Sequence, residues 1–362
     1  MKPIIEVKGI AFPNKGAEML LVACIDQLER RGCYAALEPY SPFEYKLRYP
    51  LFTKARIQRF GVNILSLLNL LPRYARERLG YIRPSELALA LDASGFAYGA
   101  PWPVSIAYER LLGEKLSCPV VMLPQSWGKF DTLAQMKVAK VLNARAALVF
   151  AREPEGADNF EKATGKRPLV VPDITFGVTV SPAEISRDVL FIPNFQVERR
   201  EGADYIETLI DAARSLLIAG RQVALLNHEG PKDLEICYRV RDRLVAEGFD
   251  VKVLDPETGL EAKAIIGAAR FVVTSRYHGL IAALSQGVAC YPVGWSYKYV
   301  SAMHLFGIEI EESVGHPEHV SDRAMSAEYC DQFQSAAYIA RLDEIRDQVV
   351  AMWDQVFALI RS

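Results

Sequence analysis

The residues best suited to chemistry are an arginine, a tyrosine and a histidine in a row, Arg276-Tyr277-His278. They follow a short apolar, β-branched run, Phe271 to Val273, and precede an apolar run of helical character, so they are predicted where a strand gives way to a helix. A guanidinium binds planar anions through paired hydrogen bonds, and an imidazole exchanges protons near neutral pH. Lys298, beyond the next predicted strand, adds a second cation. The pattern predicts an anion-handling site.

The predicted position of these residues supports that interpretation. The carboxyl ends of strands in an open α/β sheet face the crevice where ligands bind. The N-terminus of the following helix adds unpaired N–H groups that favour anions. A single arginine or histidine is more often structural than catalytic, and for Lys298 a structural ion pair is an equal alternative.

The same succession of apolar strand, polar tip and helix recurs along the whole chain, which is typical of a parallel α/β sheet. For the first of these tips, a role in the loop and the helix cap is as plausible as contact with a ligand. The tips of the first half contain Asn14, Gly16 and Glu18, then Ser94 and Gly95, then Gln125 and Ser126, and finally Arg152.

Length and composition indicate a globular protein of two domains. The chain has 362 residues, of which 51% are hydrophobic, and its net charge of −2 gives no global reason to expect nucleic acid. The sequence shows neither a membrane-spanning apolar run nor a signal-peptide pattern, so a cytoplasmic location is expected. Six scattered cysteines predict neither disulfides nor a zinc site, and no metal or other cofactor is expected.

A break in the pattern between Gly177 and Arg187 predicts a domain boundary. The expected architecture is α/β, with two Rossmann-like domains whose parallel sheets face a cleft. The first domain is expected over residues 1–180 and the second over residues 181–335. The remaining segment, 336–362, carries apolar residues at helical spacing and predicts a C-terminal helix that could pack back on the first domain.

The segment 46–83 differs from the rest of the chain in its charge. Nine lysines and arginines face a single acid, Glu77, and aromatic residues and leucines lie between them. Two interpretations remain open: a solvated pair of helices, or a surface for an anionic acceptor or for membrane headgroups.

In their order along the chain, the polar tips resemble those of the polysaccharide pyruvyl transferase family, whose fold is similar to that of the two-domain GT-B glycosyltransferases. The resemblance spans residues 4–307. The matching motifs are Asn14-x-Gly16-x-Glu18, Ser94-Gly95 after Asp92, Gln125-Ser126-x-Gly128, Arg152-Glu153-Pro154, Pro172-Asp173, Arg276-x-His278 and Lys298. The chain departs from the family at Ala17, where an acid is usual, and at Phe96, which interrupts a run of glycines. Both departures lie in the first domain, which the resemblance suggests receives the acceptor, so an altered or lost acceptor is the expected consequence.

The resemblance implies transfer of the enolpyruvyl group of phosphoenolpyruvate to a sugar of a polysaccharide or lipid-linked glycan precursor, giving a pyruvate ketal. It supports Arg152, Arg276 and His278 as donor-site residues. From the chemistry of the side chains, we expect the arginines to bind the anionic groups of the donor and His278 to be the proton donor. Further substrate contacts are expected from Asn14, Gly16, Glu18, Ser94, Gly95, Gln125, Ser126, Tyr277 and Lys298.

Two other functions fit the same residues. A sugar-nucleotide glycosyltransferase on the same plan would use Arg276 and Lys298 to hold a diphosphate. A catalytically silent partner in glycan biosynthesis would keep the fold and use the segment 46–83 to bind a membrane or another protein.

Overall fold

The structure is a computed structural model that describes residues 2–41, 43–59, 62–184, 188–294, 297–310 and 317–361. The chain divides into two compact units. The first consists of Met1–Phe12, Leu20–Ile174 and Gln348–Ser362, and the second of Pro13–Met19 and Thr175–Asp347.

Among the residues that the structure describes, ten strands belong to the first unit. They are β1 (Ile4–Lys8), β2 (Tyr34–Leu37), β3 (Leu51–Lys54), β4 (Gln58–Arg59), β5 (Val62–Asn63), β6 (Tyr81–Ile82), β7 (Leu87–Asp92), β8 (Val120–Gln125), β9 (Leu148–Ala151) and β10 (Leu169–Val170). Eight of them form a parallel sheet in the order β10-β9-β8-β7-β1-β2-β3-β6, and β4 and β5 form a small antiparallel pair. The chain winds in opposite directions from β1, so the point where the strand order reverses lies between β1 and β7.

The central strands of this sheet are buried on both faces, as is typical of parallel sheets. Every residue of β1 and β8 is buried. The helices from the same part of the chain are α1 (Lys15–Arg30), α2 (Phe43–Arg48), α3 (Arg73–Arg78), α4 (Ser105–Ala107), α5 (Leu133–Arg145) and α6 (Pro154–Thr164). Shorter 3₁₀ turns span Ser66–Leu70, Pro84–Glu86 and Ile174–Gly177, and a π-helical turn spans Tyr108–Leu112.

The second unit has a five-stranded parallel sheet of order β13-β12-β11-β14-β15. Its strands are β11 (Val189–Ile192), β12 (Val223–Leu226), β13 (Lys252–Leu254), β14 (Phe271–Thr274) and β15 (Ala289–Pro292). This is the doubly wound order, with its reversal between β11 and β14, and ligands bind outside the carboxyl ends of the strands at such a reversal.

Nine helices follow in the described part of this half of the chain. They are α7 (Phe195–Glu201), α8 (Ala203–Ile218), α9 (Pro231–Ala246), α10 (Gly259–Gly267), α11 (Tyr277–Leu284), α12 (Tyr297–His304), α13 (Pro317–Met325), α14 (Ala327–Asp331) and α15 (Ala336–Arg361), with a 3₁₀ turn over Gln332–Gln334. The residues of α15 up to Asp347 belong to the second unit, and those from Gln348 belong to the first. None of the described helices is long and apolar enough to cross a membrane.

Within the first unit, the end of α15 packs on the end of α1. The guanidinium of Arg31 lies 4.8 Å from the ring centre of Phe357 and donates a hydrogen bond of 2.6 Å to Asp354. Trp353, between them, is fully buried. The helix predicted from the apolar spacing of the tail therefore has an apolar face in the core of that unit.

The interpretation of residues 46–83 as a pair of helices is wrong. This segment contains α2, the two sheet strands β3 and β6, the antiparallel pair β4–β5, a 3₁₀ turn and α3. Not all of its basic residues are solvated. Lys54 is 2% exposed and forms an ion pair with Glu6, and Arg76 is 1% exposed and forms an ion pair with Glu86. The strands were missed because they are short and end in polar residues.

Candidate functional site

The turn from β14 to α11 lies at the carboxyl edge of the second sheet. Its main chain is fixed by buried hydroxyls around Ser275: Tyr205 donates to the Ser275 hydroxyl at 2.8 Å, and Tyr299 donates to the Ser275 carbonyl at 2.7 Å. Asn194, which follows β11, donates to the same carbonyl at 2.8 Å. Asn194 thus links the two strands that flank the reversal of strand order. This network holds Arg276 at the N-cap of α11 and His278 in its first turn.

Arg276 is held by carboxylates rather than exposed as a free cation. Its Nε and Nη2 donate to the two carboxylate oxygens of Asp233 at 2.8 and 2.6 Å, and Nη1 forms an ion pair with Glu229. Asp233 is buried near the start of α9 and also accepts the main-chain N–H of Phe195 at 3.0 Å. Burial lowers the pKa of Arg276 to about 10, which leaves the guanidinium charged at neutral pH.

Gly16 and Tyr277 are neighbours of His278, and Lys298 lies near the ring of Tyr277. The ring of Tyr277 meets the imidazole edge-on, with ring centres 5.5 Å apart, and the Lys298 ammonium lies 5.8 Å from the centre of the Tyr277 ring. Gly16 approaches so closely that a β-carbon on it would come within 2.3 Å of Nδ1 of His278. The structure therefore brings four of the predicted site residues together, with Arg276 as their neighbour on the same turn.

Asn14 and Glu18 have structural partners in the second unit. The side-chain oxygen of Asn14 accepts the main-chain N–H groups of Gly16 at 2.8 Å and Ala17 at 3.2 Å, and it thereby caps α1. The carboxylate of Glu18 accepts the N–H of Gly259, the first residue of α10, at 2.8 Å. A carboxylate at a helix N-terminus is stabilised by the helix dipole. Both residues position the turn that carries Gly16.

Sequence reasoning missed two basic residues of this cluster, Lys15 and His228. His228 follows β12 and is 3% exposed, and its carbonyl accepts the main-chain N–H of Lys15 at 3.4 Å. Burial lowers the pKa of His228 well below its usual range, and the charges of Arg276, His278 and Lys15 lower it further. The signal was available, because a polar tip between an apolar run and Pro231 repeats the pattern of the other tips.

In the first unit, the sites predicted from three separate tips converge on Arg152. This arginine, after β9, donates from Nη1 to Asp173 at 2.8 Å and from Nε and Nη2 to the Ser126 hydroxyl at 3.1 and 2.6 Å. The Ser126 hydroxyl in turn donates to Glu153 at 3.1 Å. Gly95 lies alongside, since a β-carbon on it would stand 3.4 Å from Nη1 of Arg152. Arg152 is thus fixed in orientation and charge-paired.

Asp92, at the end of β7, organises the neighbouring tip. It accepts hydrogen bonds from the main-chain N–H of Ser94 at 2.9 Å, from the Gln125 amide at 3.2 Å and from the hydroxyl of Tyr98. Burial, followed by the charge of Asp92, raises the pKa of Tyr98 well above its usual range. The Ser94 hydroxyl accepts from Arg110 at 3.1 Å. Ser94 and Gln125 are therefore fixed parts of the sheet edge.

A second polar cluster at this edge was not anticipated from the sequence. Lys8 and Lys54 end β1 and β3, and their ammonium groups lie 3.1 and 2.7 Å from the Glu114 carboxylate. Burial would raise the pKa of Glu114, but the two lysines outweigh it and hold this pKa at about 2. The carboxylates of Glu6, Glu38 and Glu114 lie close enough to share a cation, but the two ammonium groups already lie among them.

The predicted site residues thus form two groups, one in each unit. Gly16, Arg276, Tyr277, His278 and Lys298 belong to the second unit, with the helix-capping residues Asn14 and Glu18. Ser94, Gly95, Gln125, Ser126 and Arg152 belong to the first.

Residues 14–297 match the family model described as polysaccharide pyruvyl transferase. No curated protein sequence matches the chain.

Among solved structures, the chain is similar to UDP-GlcNAc 2-epimerase from Neisseria meningitidis bound to UDP-GlcNAc, with TM-score 0.62, 10% identity, and coverage of 99% of this chain and 100% of that one. It is also similar to Anabaena HepE in complex with UDP and glucose, with TM-score 0.57, 17% identity, and coverage of 98% and 100%. A third is UDP-GlcNAc 2-epimerase from Methanocaldococcus jannaschii, with TM-score 0.53, 12% identity, and coverage of 90% and 91%. These likenesses concern the fold alone, and they confirm the predicted GT-B-like α/β class.

Proposed function

The chain belongs to the polysaccharide pyruvyl transferase family, and from this premise we propose that it transfers the enolpyruvyl group of phosphoenolpyruvate to a glycan sugar. The acceptor is a sugar with two neighbouring hydroxyls, in a polysaccharide or a lipid-linked precursor. The product is a cyclic pyruvate ketal, and inorganic phosphate is released.

The observation that carries this proposal is the placement of His278. It lies in the first turn of α11, at the carboxyl edge where the strand order reverses. Gly16 lies against its imidazole, the Tyr277 ring meets it edge-on, and Lys298 lies near the Tyr277 ring. Ligands bind at such reversals, and helix N-termini favour anions. An imidazole in that position can pass a proton to a bound anionic substrate.

The chemistry balances with one acid–base group. His278 donates a proton to the methylene carbon of phosphoenolpyruvate, and the neighbouring carbon becomes electrophilic. A sugar hydroxyl forms a bond to that carbon, the bond from carbon to the phosphate oxygen breaks, and a second hydroxyl of the sugar closes the ketal. Of the two hydroxyl protons, one restores the imidazolium and the other leaves with the phosphate.

The two arginines act in this scheme as fixed positive groups. Asp233 orients Arg276, and Asp173 with Ser126 orients Arg152, so neither side chain needs to lose rotamer freedom when an anion binds. The pairing carboxylates also reduce the net charge around each guanidinium.

For a lipid-linked acceptor, we propose a peripheral contact with the membrane through an apolar–basic surface, defined here as Leu67, Leu70, Tyr74 and Arg78. The three apolar side chains are 74%, 80% and 70% exposed. Leu67 and Leu70 are three residues apart in a 3₁₀ turn and share one side, and Tyr74 and Arg78 share one side of α3. Residues 62–83 carry four arginines and one glutamate, against a net charge of −2 for the chain. Apolar residues beside positive charge fit an anionic lipid surface.

The proposed activity is tested by calorimetric titration with phosphoenolpyruvate and by phosphate release in the presence of a glycan acceptor. The expected result is saturable binding by the wild-type protein. The variant His278→Ala is expected to bind phosphoenolpyruvate with little change but to lose turnover. Turnover at the wild-type rate in this variant would overturn the role of His278. Failure of the wild-type protein to bind phosphoenolpyruvate would overturn phosphoenolpyruvate as the donor.

Sugar-nucleotide transfer is the second candidate. The observation in its favour is that the solved structures of similar fold include complexes with UDP-GlcNAc and with UDP and glucose. Lys298 and the N-terminus of α11 would suit a diphosphate equally well. Stabilisation by UDP-glucose with no response to phosphoenolpyruvate, measured as a shift in melting temperature, would select this function. A well-folded protein that responds to neither donor would instead fit the silent partner.

A further inference from the structure

His228 is the one histidine of the cluster that the proposed chemistry leaves without a role. It follows β12, the strand next to β11, and the charges of Arg276, His278 and Lys15 act on its pKa. It is 3% exposed, and its Nδ1 makes no hydrogen bond to any residue in the described part of the chain. A buried polar atom without a partner costs about 1–3 kcal/mol, so native proteins rarely keep one unless a ligand or water satisfies it.

The charge state of His228 suits an anionic ligand. Burial and the three neighbouring cations oppose protonation, so the ring is neutral near pH 7. A neutral imidazole carries one N–H and can donate it from Nδ1 to a carboxylate or phosphate oxygen. The imidazole would then contribute a hydrogen bond to the anion without adding a further positive charge.

The main chain ties His228 to the turn that carries Gly16, which lies against His278. The carbonyl of His228 accepts the N–H of Lys15, and the next residue, Gly16, lies against the His278 ring. The position of His228 is therefore coupled to the site through its backbone, and its side chain is not needed for that coupling.

We propose that His228 is a further substrate-contacting residue, whose Nδ1 donates a hydrogen bond to a phosphate or carboxylate oxygen of the enolpyruvyl donor and orients the donor beside His278. This inference rests on the proposed function. It adds a donor-binding residue that none of the sequence motifs includes.

The test uses two variants of the full chain, His228→Asn and His228→Gln. The asparagine amide lies where Nδ1 lies in histidine, whereas the glutamine amide lies nearer to the position of Nε2. Calorimetric titration with phosphoenolpyruvate is expected to show a roughly 10- to 100-fold weaker affinity for His228→Gln, which is what losing a hydrogen bond to a charged group costs. His228→Asn is expected to stay within about threefold of wild type, because it keeps a donor at that position. Melting temperatures of both variants establish that they are folded.

Inorganic phosphate and pyruvate serve as partial ligands and identify the contacted oxygen. Weakening of phosphate binding alone in His228→Gln assigns the contact to the phosphate, and weakening of pyruvate binding alone assigns it to the carboxylate. Wild-type affinity of His228→Gln for phosphoenolpyruvate, or equal losses in both folded variants, would overturn the Nδ1 contact while the proposed function stands. Failure of wild-type protein to bind phosphoenolpyruvate would overturn both.

Discussion

Gly16 and His278 are in contact so close that no other residue fits at position 16: a β-carbon there would come within 2.3 Å of Nδ1, 2.7 Å of Cγ and 2.9 Å of Cβ of His278. Because the clash includes the base of the side chain, rotation of the imidazole cannot relieve it fully. Either His278 or the start of α1 must move.

We therefore expect Gly16→Ala to lower kcat by about 10- to 100-fold, because a displacement of about 1 Å in a catalytic group is enough for that loss. KM for phosphoenolpyruvate should change less. The matched control is Ala17→Ser, a small change at the next, half-buried residue, which should leave kcat within a few-fold. Steady-state kinetics of the wild type, Gly16→Ala and Ala17→Ser tests this prediction. A wild-type kcat in Gly16→Ala would contradict the close packing of Gly16 on His278.

Arg152 is expected to be irreplaceable by lysine. Its guanidinium binds Asp173 and Ser126 through three N–H groups in fixed directions, and an ammonium cannot reach both partners from one point. Arg152→Lys should lower the free energy of unfolding by about 1–3 kcal/mol, the cost of leaving buried hydrogen-bonding groups unsatisfied.

Urea denaturation measures this effect, and Arg167→Lys provides the control. Arg167 also pairs with two carboxylates, Asp158 and Glu161, but on the exposed surface of α6 and its neighbourhood. Exposed ion pairs contribute little, so the control should unfold at the wild-type urea concentration. Equal behaviour of the two variants would show that the buried network around Arg152 adds nothing.

The fold was predictable where strands are apolar throughout. The runs Leu148 to Ala151 and Val189 to Ile192 are wholly apolar in the sequence and are strands in the structure, and each is followed by polar residues at the sheet edge. The repeated succession of apolar run, polar tip and helical pattern along the chain was enough to predict a parallel sheet.

Short strands with polar ends escaped prediction. β3 ends in Thr53 and Lys54, and its lysine is buried against Glu6 and Glu114. From the local sequence, Lys54 is expected to face solvent. The two acids that neutralise it lie 48 positions earlier and 60 positions later in the chain, so the local pattern does not include them. Pairings over such distances are set by tertiary structure alone.

The site was predictable as a set of strand tips but not as a set of contacts. The order of motifs located Arg276 and His278 correctly at the start of a helix. It could not show that Asp233, on another helix, binds the guanidinium of Arg276, or that Glu18 supports α10 rather than facing a ligand. Which hydrogen-bonding groups of a side chain are occupied depends on the residues that folding places beside it.

The apolar–basic surface is expected to bind anionic vesicles. Two exposed leucines that enter a lipid layer contribute about 1.5–3 kcal/mol each, so Leu67→Ser combined with Leu70→Ser should weaken binding by at least about tenfold. Leu133→Ser is the control, because Leu133 is 86% exposed but lies on α5.

Sedimentation with vesicles of phosphatidylcholine, with and without phosphatidylglycerol, measures the effect. Binding should require the anionic lipid and weaken at high salt, where exposed charges are screened. Wild-type protein that ignores lipid charge, or a double variant that sediments like wild type, would remove this surface from the proposed function.

His228 predicts a loss of stability in acid. Its pKa in the folded protein is well below the usual value of about 6.5, which applies to the unfolded chain. Below pH 6.5 the unfolded chain therefore binds a proton that the folded protein does not, and stability falls as the pH falls, by up to about 1.4 kcal/mol per pH unit.

The variant His228→Asn removes this group and keeps its neighbours Arg276, His278 and Lys15. The unfolding free energy of the wild type, relative to that of the variant, should therefore fall as the pH falls from 7 to 5. Above pH 7 the two stability curves should run parallel, which serves as the internal control. Urea denaturation at half-unit pH steps measures both curves. If they remain parallel down to pH 5, the folded protein accepts the proton and His228 is not the buried neutral histidine that the structure shows.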